Sequence, residues 1–574
     1  MLGLNLKDMG EAIERFEIMV RHGALCSRLD INSLLEAYCD MEPSLHRYCN
    51  TPDVVDVDAL LYATDRLPSS IYQVKEILIQ ADVPDKLPQM AGLVKLSSRA
   101  RRRQTFQVGN DVIIVVAREG RTELLDLITL LCSYQLEANK IARLLQGSSV
   151  LPELTKFLSI PGANLEERNR LLARLAFELG TTDDHLVELD QEWDGELPDR
   201  LHFLARNPPN FVARLHRDYT VEASQTRARH WARALKEGVD QLQYGDGPVH
   251  IISSNTHSTL NLLTGYALAV EDEVWTWALK HSEHRERLLR KERREPNVTY
   301  FLLRDWLKAF PERVKEKEAW ESRLGVFQID DAYHTGVSSQ VFELARIDPE
   351  KADPRVRELL QKAREDHPVL VNFDYAFGEQ AGILVEKLFE EFRHRVASFS
   401  IMGKAGTVVG GRGGVMLPSY LLKAGSRDVY DLPLGNALGP DDFEDLELGK
   451  VHSGGPMLTV AGTIMQNEDM LKRYRDEWKI LGLEMEGIPY LRALHQCLKR
   501  GWVCQDFDVL VGYYASDAPL EVGETLAREL AFDGLAPTYG LNIAILRRIL
   551  AQQSASFKTR EECLETTSTD ARNS

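Results

Sequence analysis

The sequence predicts an α/β protein in two parts: a mainly helical N-terminal region, then a three-layer domain whose mixed central sheet carries helices on both faces. Three observations predict it. Over residues 1–243 apolar residues recur mostly at three- and four-residue spacing, the period of helices with one buried face. From residue 244 onward, strand-sized apolar runs alternate with helix-sized amphipathic stretches. Between the two parts, Tyr244-Gly245-Asp246-Gly247-Pro248 collects the residues that interrupt both kinds of element.

In the first part, Leu124, Leu127, Ile128 and Leu131 form an apolar stripe that Ile141, Leu144 and Leu145 continue, and residues 166–179 and 223–242 read as helices too. One interruption is β-like. Thr105-Phe106-Gln107-Val108 and Val112-Ile113-Ile114-Val115 flank Gly109-Asn110-Asp111, the pattern of a hairpin near 105–117. No chemical motif appears here, and scaffold, oligomer contact and lid all remain open as roles.

The second part, 244–553, begins with the buried strand Val249-His250-Ile251-Ile252, followed by Ser253-Ser254-Asn255-Thr256-His257-Ser258-Thr259 and an apolar helix. Small hydroxyl residues at that junction suit helix capping, and equally an anion held by free N–H groups, with His257 a candidate ligand contact. Strands are expected at 298–303 and at 325–329, the latter running into an acidic turn at Asp330-Asp331. Another, 368–373, stops at Asp374, and Phe377-Gly378-Glu379-Gln380-Ala381-Gly382 opens a helix to Phe392. The strand 396–402 is expected to end in a loop, Gly403-Lys404-Ala405-Gly406-Thr407. Strands at 457–461, 481–486 and 507–514 then alternate with helices at 468–478, 488–498, 520–530 and 539–551. The polar tail, 554–574, is expected to be disordered.

Composition narrows the function classes. With 574 residues the chain exceeds what one hydrophobic core supports, and its 44% hydrophobic and 27% charged shares are those of soluble globular protein. No apolar run approaches the roughly 20 residues of a bilayer span. The start, Met1-Leu2-Gly3-Leu4-Asn5-Leu6-Lys7-Asp8, lacks a basic-then-apolar leader, so the expectation is a cytoplasmic protein with no membrane partner. Seven scattered cysteines without a C-x-x-C pair predict free thiols, and neither a disulfide framework nor a metal site. A formal charge of -18 argues against general nucleic-acid binding. The basic segments Arg99-Ala100-Arg101-Arg102-Arg103 and 281–294 read as solvated surface.

The chemistry-bearing segments are Gly482-Leu483-Glu484-Met485-Glu486-Gly487 and Ala515-Ser516-Asp517, each at the end of a strand. Cleaving a sugar–base bond builds positive charge on the sugar and negative charge on the base. One carboxyl that protonates the base and another that grips sugar hydroxyls would favour that step. These segments resemble the signature of the purine nucleoside phosphorylase, uridine phosphorylase and methylthioadenosine nucleosidase superfamily, Val-Glu-Met-Glu followed by Ser-Asp. The likeness is best over 368–551. Gly403-Lys404-Ala405-Gly406 stands where that family has a Gly-Ser-x-Gly loop, and Val415-Met416-Leu417-Pro418, just after Arg412, resembles its next strand.

The resemblance implies a phosphorylase-like fold and cleavage of the N-glycosidic bond of a purine-type nucleoside or nucleotide, by phosphorolysis or hydrolysis. It implies Asp517 as the group that protonates or hydrogen-bonds the base, and Glu484, Met485, Glu486 and Ser516 around ribose and base. Gly403, Lys404, Gly406 and Arg412 become candidates for phosphate, and Arg528 a residue that could orient Asp517. It implies no cofactor beyond phosphate as a co-substrate, a small-molecule nucleoside or nucleotide partner, and a homo-oligomer. Two departures qualify it. The phosphorylases' phosphate-contacting serine and preceding arginine correspond here to Lys404 and to Ile401 or Ser400. No segment matches the nucleosidases' glutamate-bearing loop, so a water-activating base is unassigned. The rival readings are an AMP-type nucleotide nucleosidase and an inactive nucleoside-binding sensor or scaffold.

Overall fold

The computed structural model describes the chain except for residues 1–5, 82, 84–92, 97–102, 119–120, 160–164, 217–218, 220, 291–293, 332–334, 364–366, 427, 447, 504–506, 522–530 and 553–574. Arg528, all but the first two residues of the helix expected over 520–530, and the tail at 554–574 thus lie outside the described residues. The chain forms two compact units, and the first is not continuous in sequence. It comprises Met1–Ser224 with Ala424–Ser426 and Val460–Tyr474, and the second comprises Gln225–Lys423, Arg427–Thr459 and Arg475–Ser574. Among the described residues no helix is long and apolar enough to cross a membrane.

The first unit is rich in helices, and it also holds a six-stranded mixed sheet. Its strands are β1 (Arg28–Asp30), β2 (Glu76–Gln80), β3 (Leu93–Leu96), β4 (Thr105–Val108), β5 (Val112–Val116) and β6 (Val212–Leu215), in the order β1-β6-β2-β5-β4-β3. The hairpin read from the sequence is β4–β5, with Gly109 at φ +66° in its turn. The others are strands of three to five residues, too short for an alternating pattern to stand out. The helix Thr122–Gln146 packs on Val57–Arg66 and Leu197–Arg206 and is buried nearly all round. The segment Val460–Tyr474 is tied into this unit. Ser44 N–H donates to the Gln466 carbonyl at 2.7 Å, and Asn467 Nδ2 donates to the Met41 and Glu42 carbonyls at 3.3 and 3.0 Å.

The second unit is built on a 12-stranded mixed sheet. Its strands are β7 (Val249–Ser253), β8 (Val326–Ile329), β9 (Ser339–Glu343), β10 (Val369–Phe373), β11 (Val396–Thr407) and β12 (Val415–Leu417), continuing with β13 (Tyr420–Lys423), β14 (Val429–Asp431), β15 (Val451–Ser453), β16 (Pro456–Thr459), β17 (Gly482–Glu484) and β18 (Asp508–Asp517). β10, β7, β11 and β18 run parallel, so their carboxyl ends share one edge of the sheet. Every residue of β7 and β10 is buried, as strands covered on both faces require. One face packs Leu262, Trp275, Trp306, Leu360 and Leu546 against the sheet; the other packs Trp231, Leu384, Phe389 and Leu491. These come from helices on opposite sides, and the result is a three-layer α/β domain.

Two sequence expectations are corrected. Residues 298–303 lie in the helix Pro296–Ala309, not a strand. Pro296 is favoured in a first helical turn, and Val298, Leu302, Leu303 and Trp306 repeat at helical spacing on its buried side. The expected glycine loop at 403–407 is the second half of β11, which is zipped to β18 along its length. Gly403 is a strand glycine, because a Cβ there would lie 2.1 Å from the Tyr513 ring.

Candidate active site

β11 outruns its neighbour β7, which pairs with it only as far as Ile401. Beyond that point Gly406 pairs with Asp517 of β18 on one edge and with Leu483 of β17 on the other. The two motifs, thirty residues apart in sequence, are therefore carried to either side of a single glycine. A Cβ on Gly406 would fall 3.0 Å from Asp517 Oδ2 and 3.3 Å from the Leu483 side chain, so the missing side chain leaves that carboxylate oxygen its space.

Asp517 is 4% exposed. Burial lifts its carboxyl above the usual carboxylate range, opposed by a hydrogen bond from Ser516 and by the positive charges of Lys404 and Arg412. Ser516 Oγ donates to Asp517 Oδ1 at 2.6 Å and to the Ala405 carbonyl at 3.2 Å. Arg412 Nε donates to the Ser516 carbonyl at 3.0 Å. Lys404 is exposed, while Ser400 and Ile401 are buried within β11.

Glu484 is also 4% exposed, and the structure gives it work within the fold. Its Oε2 accepts the N–H groups of Glu486 (2.7 Å) and Gly487, at the start of the helix Gly487–Lys499, while Thr459 Oγ1 donates to its Oε1. Burial raises its pKa, and these three donors pull it back. Oε2 thus serves a helix N-terminus, and Oε1 ties the same carboxylate to the end of β16. Met485 and Glu486 are half-buried at the same end. Gly378 N–H, beside the helix Glu379–Phe392, donates to Glu486 Oε1 at 3.0 Å, and Met485 N–H donates to Oε2 at 3.3 Å.

Sequence reasoning missed Thr459, and it singled out the turn at Gly378 without its link to Glu486, because no local pattern marks a partner 25 or 108 residues away. It also passed over Tyr490, whose hydroxyl meets Ser253 Oγ at 2.6 Å and feels the charges of Glu486, Glu484 and Asp374. The Ser253–Thr259 segment caps a helix: Asn255 Oδ1 accepts Ser258 N–H at 2.7 Å, and His257 is exposed on the first turn.

A family model described as a family of unknown function, DUF6909, matches residues 31–551. No curated protein matches the chain. Solved structures similar to it include the 5'-methylthioadenosine/S-adenosyl homocysteine nucleosidase of Campylobacter jejuni, with 12% identity, a TM-score of 0.31, and 53% of this chain and 100% of that one covered. A futalosine hydrolase mutant of Helicobacter pylori has 14% identity, a TM-score of 0.24, and 32% and 80% covered. A uridine phosphorylase of Schistosoma mansoni, in complex with thymidine, has 13% identity, a TM-score of 0.30, and 54% and 88% covered.

Proposed function

The chain belongs to DUF6909, a family of unknown function, and from that premise we propose that its second unit cleaves the N-glycosidic bond of a purine-type nucleoside or nucleotide. The observation that carries this reading is the pairing at Gly406, which brings a buried acid and a half-buried glutamate to one sheet edge. Asp517, whose pKa burial raises, is suited to donate to a ring nitrogen of the departing base. Because Oδ1 is occupied by Ser516, the proton belongs on Oδ2, the oxygen beside Gly406. Glu486 is suited to accept from sugar hydroxyls, and Met485 to pack against the sugar face. Glu484 acts by holding the turn that presents them.

Hydrolysis is favoured over phosphorolysis within this proposal. Ser400 and Ile401, which stand where the phosphorylases carry an arginine, are buried in β11 and offer no cation to a phosphate. Lys404 and Arg412 remain as cations whose charge reaches Asp517, and suit a substrate that is itself anionic.

The test is to incubate the protein with a panel of nucleosides and nucleotides, with and without phosphate, and to follow free base by chromatography. Base release independent of phosphate is expected, reduced about 10²- to 10⁴-fold in Asp517→Asn and less severely in Glu486→Gln. Binding of these compounds with no release from any of them would sink the catalytic reading and leave that of a sensor.

A further inference from the structure

We propose that Cys39 and Cys49, in the first unit, are a dithiol that closes reversibly to a disulfide, with Cys39 attacking and Cys49 resolving. Cys39 lies in the last turn of the helix Leu35–Asp40, and the chain then doubles back over residues 41–50. The return is close. Cys39 Sγ donates to the Cys49 carbonyl at 3.7 Å, and Asn50 Nδ2 donates to the Cys39 carbonyl at 3.2 Å. Both are free cysteines in the structure.

Their surroundings differ in the way a dithiol reaction requires. Cys39 is partly exposed, and the hydrogen bond from Cys49 lowers its pKa against the effect of burial, helped by the charge of Lys140. That ammonium is fixed over the same stretch of chain, donating to the Tyr48 and Val54 carbonyls at 2.6 and 3.1 Å. Cys49 is buried, and the neighbouring Cys39 sulfur is the first cause that raises its pKa. Cys132, the other thiol in the neighbourhood, is fully buried, and burial pushes its pKa up, so it is inert.

The oxidant is a low-molecular-weight disulfide, RSSR. Cys39 thiolate attacks one of its sulfurs, forming a mixed disulfide and releasing RS⁻. Cys39 then no longer carries the charge that held the proton on Cys49. Cys49 loses that proton to solvent and its thiolate attacks the Cys39 sulfur, expelling the second RS⁻. Two protein thiols are oxidised by two electrons, and one RSSR is reduced to two thiols. The new bond would clasp the segment carrying His46, which is buried between Tyr38 (Oη to Nδ1, 2.9 Å) and Glu137 (Nε2 to Oε1, 2.7 Å).

The test treats the full chain with oxidised glutathione, blocks remaining thiols with iodoacetamide and maps the peptides without reduction. A cross-linked Cys39–Cys49 peptide is expected, with a Tm above that of the reduced protein. Cys49→Ser should stop at a glutathione adduct on Cys39, and Cys39→Ser should leave Cys49 unmodified. Without any substitution, iodoacetamide should label Cys39 at least tenfold faster than Cys49 in the reduced chain. A lasting adduct on Cys39 in the unaltered chain, a bridge to any other cysteine, or faster labelling of Cys49 would overturn the proposal.

Discussion

Ser516 Oγ holds Asp517 Oδ1, and Gly406, by carrying no side chain, leaves room beside Oδ2. Gly406→Ala is therefore expected to lower base release about tenfold or more while the fold survives, since its Cβ would press on that oxygen at 3.0 Å. Unchanged kinetics in this variant would count against the assignment. The pH dependence follows from the raised pKa. In the proposed reaction the protonated form is the reactive one, so activity is expected to fall as pH rises through the pKa of Asp517. Lys404 pulls that pKa down, and Lys404→Met is expected to move the falling limb to higher pH, as read from a pH–rate profile.

At the scale of elements, Glu484 and Thr459 join β16, β17 and the following helix through one buried carboxylate. Glu484→Ala strips a helix terminus of its acceptor and removes the acceptor of the Thr459 hydroxyl, and is expected to cost about 1–3 kcal/mol in urea unfolding. A variant as stable as the parent would show that the capping is dispensable. Most elements of the second unit were legible in the sequence, because buried parallel strands appear as unbroken apolar runs such as Val369-Leu370-Val371. The motif residues were legible for the same reason: each ends such a run. The role of Glu484 was not, since an acidic residue beside a sugar and one beneath a helix look alike until the helix direction is known. Nor was the continuation of β11, because Gly403 and Gly406 signal a turn locally, and only the Tyr513 ring and the Asp517 carboxylate explain them as strand residues.

For the whole molecule, acid stability should depend on a buried histidine. His250 is buried in β7 against Ser398, and burial lowers its pKa from 6.5 to about 4. Between those values the unfolded chain holds a proton that the folded chain refuses. Stability is thus fully present above pH 6.5 and declines as pH falls towards 4, by about 3 kcal/mol. His250→Gln should flatten that slope in denaturation measured across the same pH range. The interleaving of the two units gives a second expectation. Residues 225–574 expressed alone would leave Val460–Tyr474 without Met41, Glu42 and Ser44, and limited proteolysis should cut there first while the full chain resists. The same interleaving sets a schedule during synthesis. A ribosome completes Ser224 long before it reaches Tyr474, so the amino-terminal body emerges with two carbonyls and an amide still waiting for Gln466 and Asn467. Its final closure is postponed until the chain has been extended by another 250 residues, from Ser224 to Tyr474.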